Sequence, residues 1–330
     1  YVLFLNSGVE FKVQSSKFKV VTVDIRWHSI DEQLRFPSIL EKENLDLVHF
    51  PYFSVPLLYN KPFIITIHDL ILHHFPTGEA STLPLPLYWI KQAGYRLIIR
   101  QATKRAKKII AVSQSTKNEI VDHLGVNGNK IVVAYEGVDG KISNAKFQMS
   151  NKYFLYVGNA YPHKNLDLLI DAFGKVQKEH RDVSLVFVGK EDYFYKRLKD
   201  RVKSLKLNAK IRFYGYATDE ELGALYEKAM ALVCPSKMEG FGLPMLEAMA
   251  RECLVVASDI PVFKEIGKEI PVYFDPSNKN DLFSKLLSVL EHSNDTYYYS
   301  EKINKGLERV KQFSWKKMAQ ETLAVYNATA

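Results

Sequence analysis

The 330 residues are 47% hydrophobic and 25% charged, enough for two domains with ordinary cores, and this composition excludes disordered and fibrous chains. Basic residues outnumber acidic ones by 45 to 37, and the window from Lys91 to Lys108 alone carries seven basic residues and no acidic one, so the remainder is close to neutral. Only two cysteines occur, Cys234 and Cys253, both in apolar surroundings, which excludes a disulfide framework and suits a cytoplasmic protein; every apolar run is cut well short of the roughly 20 residues that a spanning helix needs.

The chain opens on YVLFLNSG, which has neither an initiating Met nor the charged start and cleavage site of a secretory leader. Short β-branched and aromatic runs predict six early strands, Tyr1 to Leu5, Lys19 to Asp24, Asp46 to Phe50, Phe63 to Ile67, Lys108 to Val112 and Ile131 to Ala134. Among them, the basic window (Lys91, Arg96, Arg100, Lys104, Arg105, Lys107 and Lys108) has helical spacing, with Trp89, Ile90, Leu97, Ile98 and Ile99 between the charges. It is either an amphipathic helix resting on an anionic membrane surface or a solvated helix face, and both readings stand. No aromatic-basic stacking motif or zinc finger points to nucleic acid.

GVDGKISNAKFQMSNK follows, polar and glycine-containing, and reads as a linker with a boundary near Ser150. Six late strands are predicted at Tyr153 to Val157, Val183 to Val188, Lys210 to Tyr214, Ala231 to Cys234, Leu254 to Ala257 and Pro271 to Phe274. Strands alternating with helical patterns in both halves predict an α/β protein of two doubly wound, Rossmann-like parallel-sheet domains, residues 1–150 and 151–314. A cleft between them would face the carboxyl ends of both sheets, where such folds bind ligands.

Several chemistries are excluded by motif. No G-x-G-x-x-G follows the first strand of either half, and there is no P-loop, no G-x-S-x-G elbow, no metal-spaced Cys cluster and no D-x-D pair. Phosphate, if bound, would be held by backbone amides and basic side chains without a metal. HDLILHH places His73 and His74 close behind His68 and Asp69, but no further ligands of suitable spacing accompany them, so no metal site is expected.

The segment VCPSKMEGFGLPMLEAMA carries the clearest chemistry. A strand ends, a glycine turn follows, and a helix begins with Pro244 at its first position. The N–H groups of Phe241, Gly242 and Leu243, with the helix dipole, would meet a diphosphate, and Gly240 and Gly242 would let the backbone approach it. Glu239 would lie at the reacting end and Glu247 one turn inside the helix, able to accept from a ribose diol. As an isolated pair they would read as surface and capping carboxylates.

This segment resembles the E-x7-E motif of retaining GT-B glycosyltransferases, most closely those of glycosyltransferase family four. VHFPYFSVPLL, ITIHDLI, IIAVSQSTKNEIVDHLGV, IVVAYEGVD, YVGNAYPHKNLDLLIDAF, ASDIPVFKEIG, YFDPSN and FSWKKMAQETLAVY match in family order, over nearly the whole chain. The resemblance implies a nucleotide-sugar donor bound mainly by the second domain, a glycan or lipid-linked acceptor bound mainly by the first, and a last helix, residues 315–330, that crosses back to the first domain. By the same resemblance Glu239 contacts donor-sugar hydroxyls, Glu247 the ribose, and Lys164 the departing diphosphate. Gly158 belongs to the strand-end loop that meets the donor. Many relatives have an Arg where this chain has Asn159, so Lys164, His163 and the helix N-terminus are expected to support the phosphates.

His68 and Asp69 stand at the carboxyl edge of the first sheet; by the HDL match His68 is a candidate catalytic residue that holds the donor sugar or positions the acceptor, and Asp69 and Ser113 are candidates for acceptor contact. The relatives carry a further strand and glycine-rich turn ahead of the segment resembling YVLFLNSG, whose loss would leave a sheet position empty. Transfer with retention of configuration, mannose from GDP-mannose as donor, and a place at the inner face of a membrane are the resulting expectations. A nucleotide-sugar or glycan-binding protein without turnover and a nucleotide-sugar epimerase of similar architecture stay open at this point.

Overall fold

The computed structural model describes residues 1–9, 11, 15–27, 29–76, 83–139 and 152–329, with the side chains of 294 and 296–299 left aside. The boundary expected near Ser150 lies outside them. Each predicted run overlaps one strand: β1 Val2–Asn6, β2 Lys19–Val23, β3 Val48–Phe50, β4 Phe63–Ile67, β5 Ile109–Ala111 and β6 Ile131–Val133 early; β7 Tyr153–Val157, β8 Ser184–Val188, β9 Ile211–Gly215, β10 Ala231–Cys234, β11 Val255–Ser258 and β12 Val272–Phe274 late. The helices are α1 Ile30–Lys42, α2 Ile71–His74, α3 Leu85–Arg105, α4 Gln114–Leu124, α5 Leu166–Glu179, α6 Tyr193–Ser204, α7 Asp219–Lys228, α8 Leu243–Ala250, α9 Pro261–Gly267, α10 Lys279–Glu291, α11 Thr296–Val310 and α12 Trp315–Asn327.

All described strand pairs are parallel. The second sheet runs β12-β11-β10-β7-β8-β9, so the strand order reverses between β10 and β7. Chains leaving those two strands diverge to opposite faces, which opens a crevice at their carboxyl ends. The loop after β7 and the turn after β10 both begin there. Strands β4, β8, β10 and β11 are buried along their whole length. Such continuous apolar runs mark sheets covered on both faces.

The early strands do not form one sheet. β3-β4-β5-β6 make four neighbours in sequence order, while β1 and β2 pair only with each other among the described residues. Phe36 of α1 bridges the two groups, edge-on to Phe4 of β1 at 5.8 Å and to Phe50 of β3 at 6.4 Å.

The four-stranded sheet is covered on one face by Ile99, Ala102 and Ile120 from α3 and α4. On its other face Ile64, Ile110 and Ala134 meet Val325 of α12, with Met318 and Tyr326 packed alongside. The end of the chain therefore serves as a cover for the first domain, and the Tyr326 hydroxyl reaches His49 Nδ1 at 2.6 Å to fasten it. No helix among the described residues is long and apolar enough to cross a membrane.

Candidate active site

The turn after β10 is built as the glycine pattern demands. Gly242 caps α8 with φ of 103°, a left-handed value that side chains resist, and a Cβ there would stand 2.9 Å from the Phe263 ring. The helix begins at Leu243, so Pro244 is its second residue rather than its first. The N–H groups of Phe241, Gly242 and Leu243 donate in no described hydrogen bond, as befits the first turn of a helix.

Glu239 precedes this turn. Its Oε1 accepts from Lys164 Nζ at 2.5 Å and from Ser236 Oγ at 2.6 Å, and both charged side chains are largely buried. Lys164 ends the short turn Pro162–Lys164 that follows β7. Two ties fix that loop to the β10 turn: Lys237 N donates to the His163 carbonyl at 2.8 Å, and Asn165 Nδ2 donates to the Pro235 carbonyl at 3.1 Å. The cation and the carboxylate thus stand on two loops at the point of strand-order reversal.

The first domain meets the second at Gly240. A Cβ at this position would lie 2.0 Å from the His68 carbonyl oxygen and 3.2 Å from Asp69 Cβ. The Gly240 carbonyl accepts from Ser113 Oγ at 2.7 Å, and the Thr116 hydroxyl lies 3.2 Å from the His68 carbonyl oxygen. Nearby, the two carboxylate oxygens of Glu265 accept from Gln114 N and Ser115 N, both at 2.7 Å. These are orphan donors of the first turn of α4, and an anion there is favoured by the helix dipole.

Charge in the site follows from these contacts. His68 faces Glu136 Oε1 through Nδ1 at 3.2 Å and the Pro51 carbonyl through Nε2 at 3.1 Å. With an acceptor at each nitrogen the imidazolium is favoured, and the hydrogen bond to Glu136 raises its pKa above the ordinary histidine value. Burial, and then the nearby Glu239 carboxylate, raise the pKa of Asp69, while the Ile71 N–H that it accepts and Lys164 pull it back.

Residues 140–305 match the model of the glycosyl transferases group 1, and residues 12–141 that of glycosyltransferase family 4. The chain belongs to the GT-B glycosyltransferases of the family-four type. It is 33% identical over 265 residues to the O-antigen chain mannosyltransferase RfbU of Salmonella typhimurium, covering 80% of this chain and 70% of that one. The O-antigen chain mannosyltransferase B of Escherichia coli is 28% identical over 292 residues, covering 85% of this chain and 74% of its own length. Among solved structures, the sucrose-phosphate synthase of Thermosynechococcus elongatus superposes with a TM-score of 0.78 at 18% identity, covering 99% of this chain and 88% of that one.

In this glycosyltransferase, His68, Asp69, Lys164, Glu239 and Gly240 come together in one place. Glu247 lies on α8, its Oε2 accepting from the buried Tyr226 hydroxyl at 2.8 Å. Gly158 and Asn159 directly follow β7; the Gly158 carbonyl accepts from the Tyr195 hydroxyl at 2.7 Å, and Asn159 is exposed.

Three expectations need correction. Ser113 is fully buried, caps α4 and holds the Gly240 carbonyl, so it is a strut between domains and not an acceptor contact. His163 is buried, and burial followed by the neighbouring Lys164 pushes its pKa down to about 4, so it brings no positive charge to a phosphate. The Phe241 side chain is core, edge-on to Phe313 at 5.8 Å, in keeping with a contribution from its backbone N–H alone. Gly240 is bare because His68 is against it, not to admit a diphosphate.

Glu136, Ser236, Tyr226 and Glu265 escaped the sequence reading. Glu136 and Glu265 fall within the matching segments IVVAYEGVD and ASDIPVFKEIG, and each follows or sits near a strand end, but their partners lie 68 and 151 residues away in sequence.

Proposed function

We propose that this glycosyltransferase moves mannose, with retention of configuration, from a guanosine-diphosphate donor to a glycan or lipid-linked acceptor, and needs no metal to do so. The mannosyltransferase names of its relatives support the sugar. The observation that carries the mechanism is Lys164 Nζ held 2.5 Å from Glu239 at the mouth of the turn with free amides.

In the reaction the bond from the anomeric carbon to the diphosphate oxygen breaks, and the acceptor hydroxyl oxygen forms the new bond on the same face. Its proton passes to the leaving phosphate, so a glycoside and a nucleoside diphosphate result. Charge accumulates on the phosphate as the bond lengthens. Lys164 and the amides of Phe241, Gly242 and Leu243 are fixed before that charge appears, and one such donor is commonly worth about 3–4 kcal/mol of barrier. Glu239 orients sugar hydroxyls and Glu247 takes the ribose. His68, with both ring nitrogens facing acceptors, suits a positioning cation better than a base. The test is transfer activity across a nucleotide-sugar panel with Glu239→Gln and Lys164→Ala; full activity in both variants would remove this mechanism.

Attachment to an anionic membrane through α3 belongs to the same proposal. Leu85, Leu87, Trp89, Ile90 and Leu97 are exposed beside Lys91, Arg96, Arg100 and Lys104, and no acidic residue interrupts them. Two of the seven basic residues serve the fold instead: Arg105 donates to the Leu57 carbonyl at 2.7 Å and Lys108 to the Asn129 carbonyl at 3.0 Å. Each basic group near an anionic surface adds about 1 kcal/mol, so four give reversible, salt-sensitive binding. Co-sedimentation with anionic vesicles should fall as salt rises, and equal pelleting with neutral vesicles would refute it.

A further inference from the structure

A second group of titratable side chains gathers where α2 meets α4. The sequence shows His73 and His74 without further ligands nearby, but the fold supplies them from another helix. Glu119 and His123 stand one turn apart on α4, an i,i+4 pair on one face. His74 Nε2 hydrogen-bonds Glu119 Oε2, and His123 Nε2 lies 3.4 Å from the same oxygen. One ligating atom from each of the three residues lies within 4.8 Å of the others. His73 flanks them, its ring centre 5.7 Å from that of His123, and its Nδ1 is buried without a described hydrogen-bond partner.

We propose that His74, Glu119 and His123 form a binding site for a divalent transition metal of the zinc class. Ligand atoms about 2.0–2.2 Å from a tetrahedral ion stand about 3.4 Å from one another, which is the scale of this cluster. Two imidazoles and one carboxylate are a zinc, cobalt or nickel donor set, whereas magnesium and calcium select oxygen. The three side chains are partly exposed, at 29%, 31% and 39%, so a water can complete the coordination.

Glu119 is the one anionic ligand, and Arg96 and Arg100 of α3 act electrostatically on His73. These cations oppose a metal ion and set its affinity below that of a closed structural site. Binding would pin α2, only four residues long and placed directly after His68 and Asp69, onto α4, whose cap Ser113 holds Gly240. The role is structural and does not depend on the sugar transferred.

The test uses the whole chain without a polyhistidine tag, freed of metal by chelator and titrated with Co²⁺, followed by Zn²⁺ competition. The wild type should take up one equivalent of Co²⁺, give the visible bands of four-coordinate cobalt and lose them to Zn²⁺ but not to Mg²⁺. Glu119→Gln and His123→Ala should each weaken binding by at least about tenfold, since even residues supporting a ligand matter that much. His180→Ala should bind as the wild type does. Circular dichroism establishes that each variant is folded, and should one fail to fold, the wild-type titration decides alone. No uptake of Co²⁺ at micromolar free metal, or uptake unchanged in folded Glu119→Gln, overturns the proposal.

Discussion

Gly240 lies against the backbone of His68 so closely that a Cβ would stand 2.0 Å from the His68 carbonyl oxygen. Two domains separated by a long stretch of chain thus touch at the residue that follows Glu239. Gly240→Ala should hold the domains apart there while leaving the Lys164–Glu239 pair within the second domain intact. A displacement of about 1 Å at a reacting centre costs on the order of 100-fold in rate, so transfer should fall by about that much. Nucleotide affinity, measured by calorimetry, should change far less than kcat.

Lys164 acts on two carboxylates. Its ammonium is 2.5 Å from Glu239 and also lowers the pKa of Asp69. In Lys164→Ala the Glu239 carboxylate loses a charged partner in a largely buried place, at a cost of about 1–3 kcal/mol in denaturant unfolding. Asp69 should titrate at still higher pH, because Lys164 no longer opposes the effect of burial. Lys164→Arg should recover part of the stability. An unchanged unfolding midpoint in Lys164→Ala would show that the pair is not formed in solution.

The His68–Glu136 contact gives a pH dependence of one sign. The folded pKa of His68 lies above its ordinary value, chiefly through the hydrogen bond to Glu136, so the proton is bound more tightly in the folded state. The resulting stability is fully present below about pH 6.5 and is lost as pH rises through the folded pKa. Glu136→Gln should lower the His68 pKa followed by NMR and remove this part of the profile. A pKa unmoved by the substitution would contradict the contact.

His49 and His163 act in the opposite direction. Burial, with His68 nearby in one case and Lys164 in the other, pushes each pKa down to about 4. Both must be neutral in the folded protein, so their contribution is present above about pH 6.5 and is lost as pH falls toward 4, at about 1.4 kcal/mol per pH unit per group. Because His49 also holds Tyr326, acidification should loosen α12 from the first sheet. Hydrogen exchange of residues 315–327 between pH 7 and pH 4.5 checks this; unchanged protection would count against it.

Much of this architecture is legible in the chain because parallel sheets write themselves as short apolar runs between helical periods. Each such run, from YVLFL to PVYF, overlaps a strand. The split of β1 and β2 from the four-stranded sheet is not legible, since pairing of strand edges depends on neighbours and leaves no mark in periodicity.

At the site, the glycine turn and its flanking glutamates show in sequence as a motif, whereas Glu136 and Glu265 act across long separations that spacing rules do not reach. Ser113 and His163 depart from their expected roles for one reason. A polar residue at a strand end or before a helix looks the same in sequence whether it faces a cleft or is buried, and only the packing of Gly240 and Phe75 around them distinguishes the two. The spacing of HDLILHH does not show the α2–α4 cluster because its further ligands come from another helix, Glu119 lying 45 residues after His74.

The central claim is that Lys164 and Glu239, with the amides that follow, bind and activate a nucleoside-diphosphate sugar. Steady-state transfer from GDP-mannose by the wild type, Lys164→Ala and Glu239→Gln tests it most directly. The account predicts mannose transfer by the wild type and a loss of kcat of about 100-fold or more in each variant. Transfer by either folded variant at the wild-type rate would contradict it.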